Sequence, residues 1–193
     1  TARADDPQLT VRLTPLLRDR QPLPVVGDST VRLSPKARLV TGERAPLVFT
    51  TKKHDPTARL TLEQAGARIA VVDSTEDGKV TLDQSLASLA REGITSVLVE
   101  GGSILQTALI QQELFDKLVT VIVPIVIGTG VNAVGNLGNI RLADALRLQE
   151  VSHHQINDQA IITGYRSLDE TLGHAVRSLP NAKQEEAGCS AVS

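Results

Sequence analysis

Val97-Leu98-Val99-Glu100-Gly101-Gly102 decides how the rest of the chain is read. An apolar run of strand length ends on a carboxylate and two glycines, and an apolar-periodic segment follows from about Ser103 to Glu113. Thr95 to Val99 reads as a buried strand, Gly101-Gly102 as the turn, and 103–113 as a helix. Such a helix points free N–H groups and its positive end at whatever lies beyond the strand, which suits an anion such as a diphosphate. Ser103 adds a hydroxyl. A plain tight turn accounts for the same residues equally well. Glu100 falls where open α/β sheets hold ligands, and a carboxylate there can accept hydrogen bonds from a ribose or a heterocycle. The alternative is a structural carboxylate satisfying nearby N–H groups.

Working outward, strand-like and helix-like runs alternate, which predicts an α/β fold with a mostly parallel sheet flanked by helices. Upstream, Pro24-Val25-Val26 and Pro46 to Thr50 read as strands. Ala58 to Ala65 reads as a helix on Leu60, Leu62 and Ala65, stopped by Gly66. Arg68 to Val72 is another strand. Thr81 is a predicted N-cap with Gln84 at the capping-box position, and Leu82, Leu86, Leu89 and Ala90 form the apolar face before Gly93. Downstream, Leu118 to Ile127 reads as a long strand, although Pro124 within it points to an edge or a bulge. Gly128-Thr129-Gly130 ends it, as a turn or as backbone open to a ligand. Val131 to Asn139 is a loop. Arg147 to His154 and Gln159 to Tyr165 form an antiparallel pair across Asn157-Asp158. The domain is predicted over 1–166, with 167–193 a polar, disordered tail.

Composition excludes several functions. The chain has 193 residues, 41% of them hydrophobic, enough for one core. It holds two Phe, one Tyr and no Trp, so stacking platforms for single-stranded nucleic acid are scarce. The net charge is −2 with no basic stripe, which argues against duplex binding. No apolar run is long enough to span a membrane. The one cysteine, Cys189, allows no internal disulfide and no thiolate metal cluster, in keeping with a cytoplasmic location. His153 and His154 face opposite sides of a strand, so shared metal ligation is not expected. No spacing supports a hydrolytic triad, a zinc site, a phosphate loop or the G-x-G-x-x-G dinucleotide fingerprint. The chain contains no Met, so the natural protein is expected to extend N-terminally or to be processed.

At the start, Thr1-Ala-Arg-Ala-Asp-Asp-Pro-Gln-Leu-Thr-Val-Arg12 contains a turn opener at Asp6-Pro7 and an arginine suited to phosphate. By residue type alone it reads first as a solvated loop. Four segments in order then carry a resemblance: Thr1 to Arg12, Asp28 to Leu39, Val99 to Gly102, and Pro124 to Gly130. Across 1–166 the chain resembles the reductase domain of riboflavin biosynthesis, which has a dihydrofolate-reductase-like fold.

The resemblance implies an NADPH-dependent oxidoreductase that reduces a ribosylaminopyrimidine 5′-phosphate to the ribitylamino compound, as a homodimer. It implies NADPH contacts at Thr1, Asp5, Gly102, Ser103, Ile104, Leu105, Gln106, Thr107 and Ala108. It implies substrate contacts at Leu9, Arg12 and Glu100, with Arg12 near the 5′-phosphate. Thr1 and Asp5 rest on resemblance alone, and no catalytic residue or metal is implied. The family's domain starts several dozen residues earlier, so its N-terminal strand is expected to be missing here. Gly27 stands where an apolar residue is usual. Reduction of the 2,5-diamino compound before deamination is favoured over reduction of the 5-aminouracil after it. The alternatives are a catalytically silent nucleotide-binding or dimerising relative, and a reductase of a pterin or another heterocycle.

Overall fold

The computed structural model describes residues 2–11, 21–138 and 141–166. Thr1, Arg12 and the predicted tail therefore lie outside the described residues. The chain divides into two compact units, one drawn from 1–114 and 131–137, the other from 115–130 and 138–193.

The first unit is built on three parallel strands in chain order, β1 (Val25–Gly27), β2 (Leu47–Thr50) and β3 (Arg68–Val71). The connections carry α2 (Arg38–Thr41) and α3 (Pro56–Gln64), while α1 (Ala2–Asp5) precedes β1 and α4 (Leu82–Arg91) follows β3. β2 is buried along its whole length. Its side chains alternate between two cores, as a strand covered on both faces requires. Val48 packs with Val31, Leu33, Val40 and Leu62 on one face. Leu47 and Phe49 pack with Val72 and Leu89 on the other.

The helix reading needs four corrections. α3 begins at Pro56 rather than Ala58, because Asp55 caps it by accepting the Thr57 N–H at 2.8 Å and Pro fits the first helical position. Leu60 is not a core position, being 55% exposed, whereas Leu62 is 1% exposed. The capping box at Thr81 does not form. The Gln84 amide instead accepts the Asp73 N–H at 3.0 Å and donates to the Asp73 carboxylate at 2.9 Å. Ala90 lies in solvent, and Ser85, donating to the Thr81 carbonyl, is buried in the helix face. Gly66 and Gly93 do end their helices, with φ of 103° and 79°.

The predicted buried strand Thr95 to Val99 is overturned. Residues 94–100 are outside any strand, and Leu98 is 81% exposed. An apolar run becomes a strand only where a neighbour accepts its backbone hydrogen bonds, and no described strand lies beside this one. α5 (Ser103–Gln111) follows as expected.

The second unit is a three-stranded antiparallel sheet in the order β4 (Lys117–Ile122), β6 (Gln159–Tyr165), β5 (Gln149–Ile156). The terminal pair was anticipated, with Asn157 in its turn at φ 54°. β4 ends at Ile122, not Ile127, because Pro124 has no N–H to continue a ladder. The mixed α/β class is as expected, with the parallel strands and the antiparallel strands in separate sheets.

Candidate functional site

The site is best built from α5 outward. Gly102 is its N-cap at φ −70° and ψ 174°, and no side chain among the described residues caps the helix. The Leu105 N–H donates to the Gly102 carbonyl at 3.0 Å, which leaves the N–H groups of Ser103 and Ile104 for a ligand. The backbone at Gly102 is ordinary extended chain, so a left-handed turn is not what the glycine supplies. At Gly101 a Cβ would lie 2.6 Å from Leu105 Cδ2, so a larger residue there requires the Leu105 side chain to turn aside. Gln106 Nε2 donates to the Gly101 carbonyl at 2.8 Å and so holds the turn from inside the helix.

Thr107 ties α5 to a loop. Its hydroxyl donates to the Ser103 carbonyl at 2.6 Å and accepts the Gly135 N–H at 2.7 Å. Gln111 Nε2 donates to the Asn136 carbonyl at 3.0 Å. The predicted 131–139 loop thus lies along one side of α5 over Gly135 and Asn136. Ile104 and Leu105 are exposed, at 70% and 37%, which leaves an apolar flank beside the free N–H groups. Ala108 and Ser103 are half-buried. Glu100 is exposed, three residues before the first residue of the helix. Glu100 and Gly102 through Ala108 thus lie along one continuous stretch of chain in the first unit.

The other candidate residues lie at the start of that unit. Asp5 ends α1 and is exposed, and Leu9 is half-buried. The 6–11 segment is held at both ends by side-chain-to-backbone bonds. Asp6 Oδ1 accepts the Arg38 N–H at 2.9 Å. Gln21 accepts the Val11 N–H at 2.9 Å and donates to the Val11 carbonyl at 3.3 Å.

The carboxyl ends of the parallel strands hold polar residues that the sequence reading left without a role. Asp28, 7% exposed, accepts the N–H groups of Arg32 at 2.6 Å and Leu33 at 2.7 Å. This turn holds the buried Val31 at φ 57°, rare for a β-branched residue. The Ser29 carbonyl accepts the Thr51 hydroxyl at 2.9 Å, and Ser29 Oγ accepts the Val80 N–H at 3.1 Å. The signal was the Asp-Ser pair ending a short strand. Gly27 has a local reason too, since a Cβ would lie 3.2 Å from Val80 Cγ2.

The perturbed carboxylate lies elsewhere. Asp77, in an exposed turn, is held below the usual carboxylate range by hydrogen bonds from Lys79 first and Thr75 second. Pro124 to Gly130 belongs to the second unit, where Val126 is 99% exposed. His153 and His154 are adjacent on β5, paired with Ile162 and Ile161, and both are exposed. Among the described residues, no group of three or more His, Cys, Asp or Glu side chains is placed to hold a metal. No described helix is long and apolar enough to cross a membrane.

Comparison with known proteins agrees with this architecture. The sequence model of the RibD C-terminal domain matches residues 1–162. A 2,5-diamino-6-ribosylamino-4(3H)-pyrimidinone 5′-phosphate reductase of Aquifex aeolicus is 30% identical over 165 residues, covering 83% of this chain and 70% of that protein. The riboflavin biosynthesis protein RibD of the same organism is 26% identical over 162 residues, covering 84% of this chain and 43% of that protein. The chain thus spans under half of that longer relative. Acinetobacter baumannii RibD superposes with a TM-score of 0.72 at 23% identity, over 86% of this chain and 45% of that one. These neighbours share the dihydrofolate-reductase-like fold. The chain belongs to the RibD C-terminal domain family.

Proposed function

We propose that the chain, through residues 1–166 as its reductase domain, carries out the NADPH-dependent reduction of a ribosylaminopyrimidine 5′-phosphate to the ribitylamino 5′-phosphate in the cytoplasm. The 2,5-diamino compound, reduced before deamination, is the favoured substrate. The observation that carries this reading is the uncapped start of α5 with exposed Glu100 three residues before it, in a chain of this family.

The residues fit the cofactor. A dinucleotide diphosphate needs backbone N–H donors and close approach, and Gly101-Gly102 with the free first turn of α5 supply both. Ile104 and Leu105 give an apolar flank, Thr107 is anchored from Ser103, and Asp5 is the acidic group at the other candidate segment. When bound, NADPH supplies the hydride. The chain's own task is positioning, because hydride transfer depends mainly on the distance and angle between donor and acceptor carbons. Glu100 accepts hydrogen bonds from the substrate, and Leu9 and Arg12 complete the contacts, with Arg12 on the 5′-phosphate. A homodimer belongs to the same proposal.

The test is NADPH consumption with the 2,5-diamino phosphate and, separately, with the 5-aminouracil phosphate. Faster turnover of the first supports the favoured order, and turnover of neither overturns the reading. Glu100→Gln should lower kcat/KM about 10- to 100-fold, the worth of a charge-assisted hydrogen bond, and leave NADPH affinity nearly intact. Equal loss of both would remove Glu100 from the substrate. Gly102→Val places a branched side chain over the free N–H groups and should weaken NADPH binding at least tenfold by fluorescence titration, roughly the loss of one such bond.

A further inference from the structure

We propose that Asp6 is a positioning residue, a side-chain tether that fixes the 5–9 segment by capping α2 from 32 residues away. The inference rests on the reading that Asp5 and Leu9 face cofactor and substrate.

α2 begins at Arg38, and its N-cap, Ala37, has no side-chain oxygen to receive the first N–H groups. A helix start without such an acceptor is normally completed by Ser, Thr, Asp or Asn at the N-cap itself. Here Asp6 Oδ1 fills that role by accepting the Arg38 N–H at 2.9 Å. The bond works in both directions. It completes the start of α2, and it fastens the segment that carries Asp5 and Leu9 to the β1–β2 connection.

The backbone of the segment explains why a tether is needed. Asp6 has φ 40° and Leu9 has φ 51°. Asp tolerates the left-handed region, but a leucine rarely adopts it, and such residues persist only where their surroundings hold them. The far end is held by the paired bonds between Gln21 and the Val11 backbone. Between the two anchors, Gln8 and Thr10 line a shallow cleft with Gln21, Leu39 and Glu43, so the segment rests on α2 and its exit.

Four single variants and one double variant test the tether. Asp6→Ala removes the acceptor. Arg38→Pro removes only the donor, because proline is well tolerated at a first helical position and Ala37 at ψ 144° suits a following proline. Asp6→Asn and Arg38→Ala keep the bond. The first two should speed hydrogen–deuterium exchange across 5–11 in the ligand-free protein. They should also raise KM for the ribosylaminopyrimidine phosphate and Kd for NADPH about fivefold, the ratio one lost cap corresponds to, with kcat little changed. The second two should behave as the parent. The double variant Asp6→Ala/Arg38→Pro should be no worse than either single variant.

Unchanged exchange in Asp6→Ala, or additive effects in the double variant, overturns the tether. Faster exchange with unchanged KM and Kd, in a parent that turns over normally, overturns Asp6's role at the site and leaves the reductase reading standing. A parent that neither binds NADPH nor turns over brings down the reductase reading, and with it the role of Asp6 at a reductase site.

Discussion

β2 and β4 are built from similar residues, Leu-Val-Phe-Thr and Lys-Leu-Val-Thr-Val-Ile, and they end in opposite situations. All four residues of β2 are buried. In β4 five of six are exposed, and Val119, Val121 and Ile122 each show half their surface. The difference comes from connectivity rather than from hydrophobicity. Joining parallel strands requires crossovers, and in the first unit these carry α2 and α3. With α4, the crossovers cover both faces of the sheet they join. The antiparallel β5–β6 hairpin turns in two residues and brings no covering element with it. The candidate site follows the same division, because Asp5, Leu9, Glu100 and α5 all belong to the unit with the double core.

The comparison can be broken in three places. The largest effect is expected at Phe49, 1% exposed on β2 in the core it shares with Val72 and Leu89. Phe49→Ala should cost about 3–5 kcal/mol through lost burial and the cavity left behind, read from chemical denaturation. A loss under about 1 kcal/mol would mean that the parallel sheet is no better packed than the antiparallel one. An intermediate effect is expected at Gly164, the buried position of β6. A Cβ there would lie 2.8 Å from Leu148 Cβ and 3.3 Å from Val151 Cγ2, so Gly164→Ala should cost about 1–3 kcal/mol by overpacking. No effect would show that the second unit lacks a packed centre. The smallest is Val121→Thr on β4, which should stay within about 0.5 kcal/mol, as surface changes do. A larger loss would show that something covers Val121 in solution.

Much of the first unit was legible. Its three strands follow from apolar runs bounded by turn residues, and Gly66 and Gly93 marked helix ends because only glycine takes positive φ at no steric cost. α5 was legible from the glycines before it and the periodicity after it. The errors share a cause. Leu60, the Thr81–Gln84 box and the 95–99 strand each satisfied a local rule, but the Gln84 amide is drawn to Asp73 and residues 94–100 find no strand to pair with. Pro124 did carry its own signal, and the strand stops before it.

For the proposed site, residue type and order single out Glu100, Gly102 and the start of α5, because the N–H groups at an uncapped helix start suit an anion. They also determined the family, because the order of short motifs survives where overall identity falls to about 30%. Tertiary structure decided the rest. Only it shows Thr107 holding Gly135, Asp28 holding the turn at Val31, and Asp6 completing a helix that starts 32 residues later. A side chain's type limits what it can bond to, but the partner is whichever backbone group the fold leaves unsatisfied within reach, and that is a property of the whole chain.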